Sequence, residues 1–455
     1  MTTREKVLSA ANEYFQEKFG KEHPFIPGKS YIPASAKSLD ESDLQALINA
    51  SLDMWLTSGR HSQEFESRLA KTLERRYALF VNSGSSANLL AYATLTSDQL
   101  RDRSLKPGDE VITAAAGFPT TVTPAMIYGA CPVFVDIDPE TLNVSAESVA
   151  AAITKKTKVV ALAHTLGNPF EAEKIRNICE SNQLWLIEDN CDGLGSVHNK
   201  RPTGSFGHLA TQSFYPAHHI TTGEGGAMTC DSSRLHTLAL RFRDWGRDCY
   251  CEPGHDNTCG KRFCQKFPLL PYGYDHKYVY SELGFNLKAT DMQAAIGCSQ
   301  LSRIESFTAA RRFNYLYLQN ALSDLQQYVT IQKATSGSSP SWFGFAITLL
   351  HGGSDLRLKM QTILEAKGIG TRLLFGGNLI RQPAFAGKHY RVHNELAHTD
   401  NAVDRTFWVA CHHALDKERL AYLAEELSSS IRAVCGGGSR LTKSVRSEKI
   451  CHIES

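Results

Sequence analysis

The sequence predicts an α/β protein: a mostly parallel sheet covered on both faces, with a smaller α+β domain after it. Two observations lead there. From about Tyr77, apolar runs of four to six residues alternate with helical stretches, the pattern of parallel strands buried on both sides. The distinctive residues Ser85, Phe118, His164, Asp189 and His218 fall at or just after the ends of those runs, where ligands of such sheets sit.

Residues 1–40 are polar and mixed, an N-terminal arm with helical character over Asn12 to Gly20 and an extended stretch over Pro24 to Pro33. Leu44, Leu47, Ile48, Leu52 and Trp55 share one face of a helix. Strands are expected at Ala78–Val81, Val111–Ala115, Val133–Val135, Val159–Ala163 and Leu184–Ile187. Helices are expected through Leu89 and Leu90, from near Pro119, over Ala146–Ile153 and over Glu171–Asn182. These make a large domain over 41–300. A long helix over Leu301–Leu322, a strand over Trp342–Leu350 and a helix over Leu356–Lys367 begin a small domain over 301–435. The glycine-rich, basic tail 436–455 is expected to be disordered.

With 455 residues the chain is long enough for two domains. A net charge of +2 gives no electrostatic case for nucleic acid. No apolar run reaches the roughly 18 residues of a membrane span, and the N-terminus lacks the apolar core of a secretory signal. A cytoplasmic enzyme is expected.

Twelve cysteines are many for a chain in a reducing compartment. Cys131, Cys179, Cys230, Cys298, Cys411 and Cys435 stand alone and read as small apolar residues. Cys249, Cys251, Cys259 and Cys264 crowd one Gly/Pro/Asn/Asp loop within 245–265, and Cys191 lies two residues after Asp189. The spacing C-x57-C-x-C-x7-C over Cys191, Cys249, Cys251 and Cys259 suits Zn²⁺ or an iron–sulfur cluster, and spacing alone does not choose between them.

Three further segments suggest a cofactor pocket. Asn82-Ser-Gly-Ser-Ser-Ala87 lies between a strand and a helix, a setting that favours an anion. Trp185-Leu-Ile-Glu-Asp189 ends a buried strand in two carboxylates, and pyridoxal enzymes need an acid at the pyridine nitrogen. Ser213-Phe-Tyr-Pro-Ala-His218 follows a later strand.

In order and spacing these segments resemble the DegT/DnrJ/EryC1/StrS family of sugar-modifying pyridoxal phosphate (PLP) enzymes. So do Ala116-Gly-Phe-Pro-Thr120, Ala163-His-Thr-Leu-Gly-Asn168 and Gly284-Phe-Asn-Leu-Lys-Ala-Thr-Asp-Met-Gln-Ala-Ala295. The resemblance covers roughly residues 40–430 and implies the aspartate-aminotransferase (type I) fold. It implies that Ser85, Ser86 and Ser213 hold the phosphate, Phe118 stacks on the ring and Asp189 pairs with the ring nitrogen. It places Asn286 at the neighbouring subunit's cofactor, so a homodimer is expected.

Two positions depart from the family's aminotransferases. His218 stands where they carry the lysine that holds PLP as a Schiff base, and Asp192 stands where they usually carry glutamine. An imidazole cannot form that bond, but it takes up and returns protons near neutral pH. The bound form expected is therefore pyridoxamine phosphate (PMP), whose own amine can condense with a ketone. His218 is preferred to His219 because the family's lysine lies five residues after the serine.

Arg243-Asp-Trp-Gly-Arg-Asp-Cys-Tyr-Cys251 and Tyr272-Gly-Tyr-Asp-His-Lys-Tyr278, with the four cysteines, resemble one branch: the PMP- and [2Fe–2S]-dependent nucleotide-sugar 3-dehydrases. The resemblance implies that Cys191, Cys249, Cys251 and Cys259 hold the cluster, with Cys264 a bystander. It implies C3 deoxygenation of a nucleotide-linked 4-keto-6-deoxyhexose, CDP-linked rather than dTDP-linked, for surface-polysaccharide dideoxysugars. An NAD(P)H-dependent flavin/iron–sulfur reductase is the expected partner. Tyr215 is expected to touch cofactor or substrate and Phe343 to line the sugar pocket. The rival readings are a PLP sugar aminotransferase, a cluster-free 3-dehydratase and a zinc-binding scaffold.

Overall fold

The computed structural model describes residues 1–20, 24–249, 251 and 254–436. Its main sheet has eight strands, in spatial order Tyr77–Val81, Gly226–Cys230, Leu209–Ser213, Trp185–Asp189, Thr157–Ala163, Glu110–Ala114, Cys131–Val135 and Arg391–Val392. Gly226–Cys230 runs antiparallel to both its neighbours. The other pairings are parallel. Each face carries its own apolar core. One holds Val133, Val160, Leu186, Val149 and Ile175. The other holds Val111, Val159, Ile187, Leu90 and Leu238. Alternate residues of one strand serve opposite cores, as the two-residue period of a strand requires.

The helix Gly84–Thr96 is apolar nearly all round, with Leu90, Ala91, Tyr92, Ala93 and Leu95 buried. Such a helix belongs inside a protein. The Ser83 hydroxyl caps it by accepting from the N–H of Ser86 (3.0 Å).

A second sheet of four antiparallel strands follows, in the order Val329–Ile331, Gly344–Leu349, Thr406–Ala410 and Thr371–Leu373. Its core joins Phe345 and Phe407 to Leu318, Leu364 and Leu427 of the helices Ile304–Ala321, Ser354–Ala366 and Lys417–Cys435. The strand Arg391–Val392, within the stretch expected to form only the small domain, returns to the edge of the main sheet beside Cys131–Val135. The long helix expected over Leu301–Leu322 is present as Ile304–Ala321, and a separate helix, Asp291–Leu301, precedes it. The N-terminal helix is longer than expected, spanning Thr3–Phe19. The tail expected to be disordered lies, past Gly436, outside the described residues.

No helix among the described residues is long and apolar enough to cross a membrane. Cys131, Cys179, Cys230, Cys298 and Cys411 are buried free thiols, Cys435 is half-buried and Cys264 is exposed.

Candidate active site

The carboxyl ends of the main-sheet strands open into a cavity of about 510 Å³. Ser83, Gly84 and Ser85 line it from the first strand–helix turn. Phe118 and Thr121 come from the second, and Asp189, Cys191 and Asp192 from the end of Trp185–Asp189. Ser213, Tyr215 and His218 follow Leu209–Ser213, and Phe343, Arg372 and Trp408 close it from the second sheet. Gly84 allows the first turn to meet the Ser213 loop. A Cβ at Gly84 would stand 2.5 Å from that of Ser213, closer than two carbons can sit.

Asp189 is buried and closely held. Thr121 Oγ1 and Asn88 Nδ2 both donate to its Oδ2, at 2.7 and 3.0 Å. The N–H of Cys191 donates to Oδ1 (3.2 Å). Thr211 Oγ1 donates to Asn88 Oδ1 (2.8 Å), so the amide can present only its N–H groups to Asp189. The neighbouring acid has a different task. Glu188 is fully buried, bonded to His164 (2.9 Å) and to the N–H groups of Gly204, Phe206 and Gly207. It anchors a loop, and His164 belongs to that anchor rather than to the cavity.

His218 lines the cavity, with Nδ1 3.3 Å from Oδ1 of Asp192 and its ring 5.4 Å from that of Phe343. His219 turns away. Its Nε2 bonds the carbonyl of Ser341 (2.7 Å), and burial first, then Arg311, pushes the ring well below the usual histidine range. The cavity's only basic groups among the described residues are therefore His218 and Arg372; no lysine lines it.

One expected pocket residue lies elsewhere, and Asn286, expected at a neighbouring subunit's cofactor, lies away from this cavity. The Ser86 hydroxyl bonds that of Ser83 (3.0 Å), and Ser86 does not line the cavity. Asn286 is exposed, in a backbone bridge to Asp244. Asn88, Thr121 and Arg372 were not among the expected residues. The first is one helical turn after Gly84, a spacing that could have marked it.

The four cysteines are not brought together. Cys191 is at the cavity, where enclosure and the nearby Asp189 and Asp192 carboxylates push its thiol well up. Cys249, Cys251 and Cys259 are neighbours in the loop. Burial raises the Cys251 thiol, but hydrogen bonds from Thr258, Cys259 and Cys249 outweigh it and bring the group down to about 7. Among the described residues no group of three or more His, Cys, Asp or Glu side chains is arranged to hold a metal ion.

Residues 37–428 match a single family profile. The chain belongs to the DegT/DnrJ/EryC1/StrS aminotransferase family. Within that family it is similar to the lipopolysaccharide biosynthesis protein RfbH of Salmonella typhimurium (strain LT2). The two are 50% identical over 423 residues, 93% of this chain and 97% of that protein. It is 47% identical to the dTDP-4-dehydro-2,6-dideoxy-D-glucose 3-dehydratase of Saccharopolyspora spinosa over 429 residues, 94% of this chain and 92% of that protein. Among solved structures it resembles the E. coli GDP-4-keto-6-deoxy-D-mannose-3-dehydratase with bound hydrated PLP. The TM-score is 0.78 at 29% identity, over 88% of this chain and all of that one. The fold is the PLP-dependent aspartate-aminotransferase type.

Proposed function

We propose that this chain is a PMP-dependent nucleotide-sugar 3-dehydrase that removes the C3 oxygen of a 4-keto-6-deoxyhexose, with CDP-4-keto-6-deoxyglucose as substrate. The observation that carries the reading is His218 in the cavity, beside Asp192, where the family's aminotransferases place lysine. The residues present fit the cofactor. Ser85 and Ser213 with the capped turn suit its phosphate, Phe118 its ring face and Asp189 its ring nitrogen. When bound, PMP supplies a primary amine for the sugar ketone and a ring that accepts electrons.

The protein's own part follows from the geometry. Asp189, fixed by Asn88 and Thr121, holds a proton on the ring nitrogen. His218 would take up a proton at Nε2, since Nδ1 lies on the side of Asp192. The same ring would give a proton to the departing C3 hydroxyl. Tyr215, half exposed at the cavity wall, contacts cofactor or sugar. Phe343 and Trp408 exclude water from the reacting carbons.

Dehydration alone does not give a 3-deoxy ketosugar; two electrons are also needed. We assign Cys191, Cys249, Cys251 and Cys259 to a [2Fe–2S] cluster, on their thiol chemistry and spacing. The assignment requires the loop to carry its three thiols to Cys191. The cluster would supply single electrons, drawn from an NAD(P)H-dependent flavin/iron–sulfur reductase. A homodimer, with Asn286 reaching the second cofactor, and a cytoplasmic setting complete the proposal. The 47% identical relative favours a second reading, with a dTDP-linked 2,6-dideoxy substrate.

Anaerobically purified protein with PMP, tested on both ketosugars with a reductant, separates these readings. Iron–sulfur absorbance and turnover of the CDP sugar are expected. A colourless protein with stoichiometric zinc would overturn the cluster assignment, and turnover of the dTDP sugar alone would reverse the choice of nucleotide.

A further inference from the structure

Arg311, on the helix Ile304–Ala321, is fully buried behind the cavity wall. Its Nη1 donates to the carbonyls of Trp342 (3.0 Å) and Phe343 (3.4 Å), while Nε and Nη2 have no hydrogen-bond partner among the described residues. Burying a guanidinium so sparsely bonded is costly. Burial pulls the group down to about 10, against the pull of Cys411 and Asp192, so it keeps its charge at neutral pH.

What it holds is the segment Ser341–Phe343, just before the strand Gly344–Leu349. These backbone groups are buried outside any ladder and need other partners. The N–H of Ser341 donates to Ser196 Oγ (2.7 Å), and its carbonyl bonds His219 Nε2 (2.7 Å). The N–H of Phe343 donates to the carbonyl of Leu166 (2.9 Å). Arg311 supplies the donors for the next two carbonyls. The Phe343 ring carried by this segment lies 5.4 Å from His218 and 5.5 Å from Trp408, both at the cavity.

We infer that Arg311 is a positioning residue: by fixing the Trp342–Phe343 backbone it sets the Phe343 ring against His218 and so fixes the orientation of the imidazole in the cavity. The inference takes from the proposed function only that His218 is the proton-handling group.

The test uses full-length protein carrying [13Cε1]histidine, with PMP, and the His218 NMR signal assigned by its loss in H218N. An aromatic ring this close displaces the imidazole signal, so F343L is expected to move it. R311M is expected to move it in the same direction, and R311K, which keeps a cation and one donor, part of the way. A His218 signal at the wild-type position in R311M, with F343L displaced, would overturn the inference. So would an unmoved signal in F343L. If R311M does not fold, R311K decides: displacement at an unchanged melting temperature supports the inference, and no displacement overturns it. Turnover is read separately. An unmoved signal counts against Arg311, and a wild type without turnover counts against the deoxygenase reading.

Discussion

Nδ1 of His218 stands 3.3 Å from Oδ1 of Asp192, at the wall of the cavity. In the proposed function the carboxylate stands on the Nδ1 side of the ring and balances the charge that appears when the imidazole takes a proton. Asp192→Asn keeps the shape and removes the charge. Its kcat is expected to fall about ten- to a hundredfold, part of the ~10²–10⁴ that general acid–base catalysis contributes. KM should stay near wild type, as steady-state kinetics with saturating PMP will show.

Restoring the amine tests the same position from the other side. His218→Lys places a primary amine at the cavity, so PLP should be captured as a Schiff base. Borohydride reduction followed by mass spectrometry should show one covalently attached cofactor per chain in the variant and none in wild type.

Asn88 is the hidden support of Asp189. Asn88→Ala removes a hydrogen bond to a buried carboxylate, worth about 1.5–3 kcal/mol. PMP affinity should fall roughly ten- to a hundredfold, as measured by equilibrium dialysis, with little change in the far-ultraviolet spectrum.

Asp189 and His218 are legible in the sequence because one ends a strand and the other follows one, where an open sheet presents its ligand site. Glu188 and His164 carry the same local signature, and only the pleat separates them. Adjacent strand residues face opposite sides, so Asp189 meets the cavity while Glu188 and His164 meet each other. Asn88 and Arg311 act through contacts 101 and 31 residues away in sequence, and no local pattern encodes such pairings. The antiparallel Gly226–Cys230 strand and the return of Arg391–Val392 to the main sheet were equally hidden, because short apolar runs do not record direction or partner. The cysteine spacing is plain from the sequence, but among the described residues the four thiols do not form a metal-holding group.

Several buried histidines make the fold sensitive to acid. Burial, reinforced by nearby arginines, lowers His208 and His413 to about 3 and His236 and His412 to about 4. For His208 the cause is visible: Nδ1 accepts from the N–H of Leu186 (2.9 Å) and cannot do so once protonated. The unfolded chain binds these protons near pH 6.5, so it holds more of them than the fold does below that value. Stability present above about pH 6.5 should be lost as the pH falls toward 4. Urea midpoints across this range will show it. His413→Phe, which can keep the stack on Phe307 (3.8 Å between centroids), should flatten the decline.

The most direct test of the central claim is the fate of the sugar in one anaerobic turnover. Wild-type protein loaded with PMP, treated with iron and sulfide and reduced, is mixed with CDP-4-keto-6-deoxyglucose, and the product is analysed by mass spectrometry. The account predicts a ketosugar that has lost its C3 oxygen, formed by wild type and not by His218→Asn. A product that keeps the C3 oxygen and gains nitrogen at C4 would contradict it.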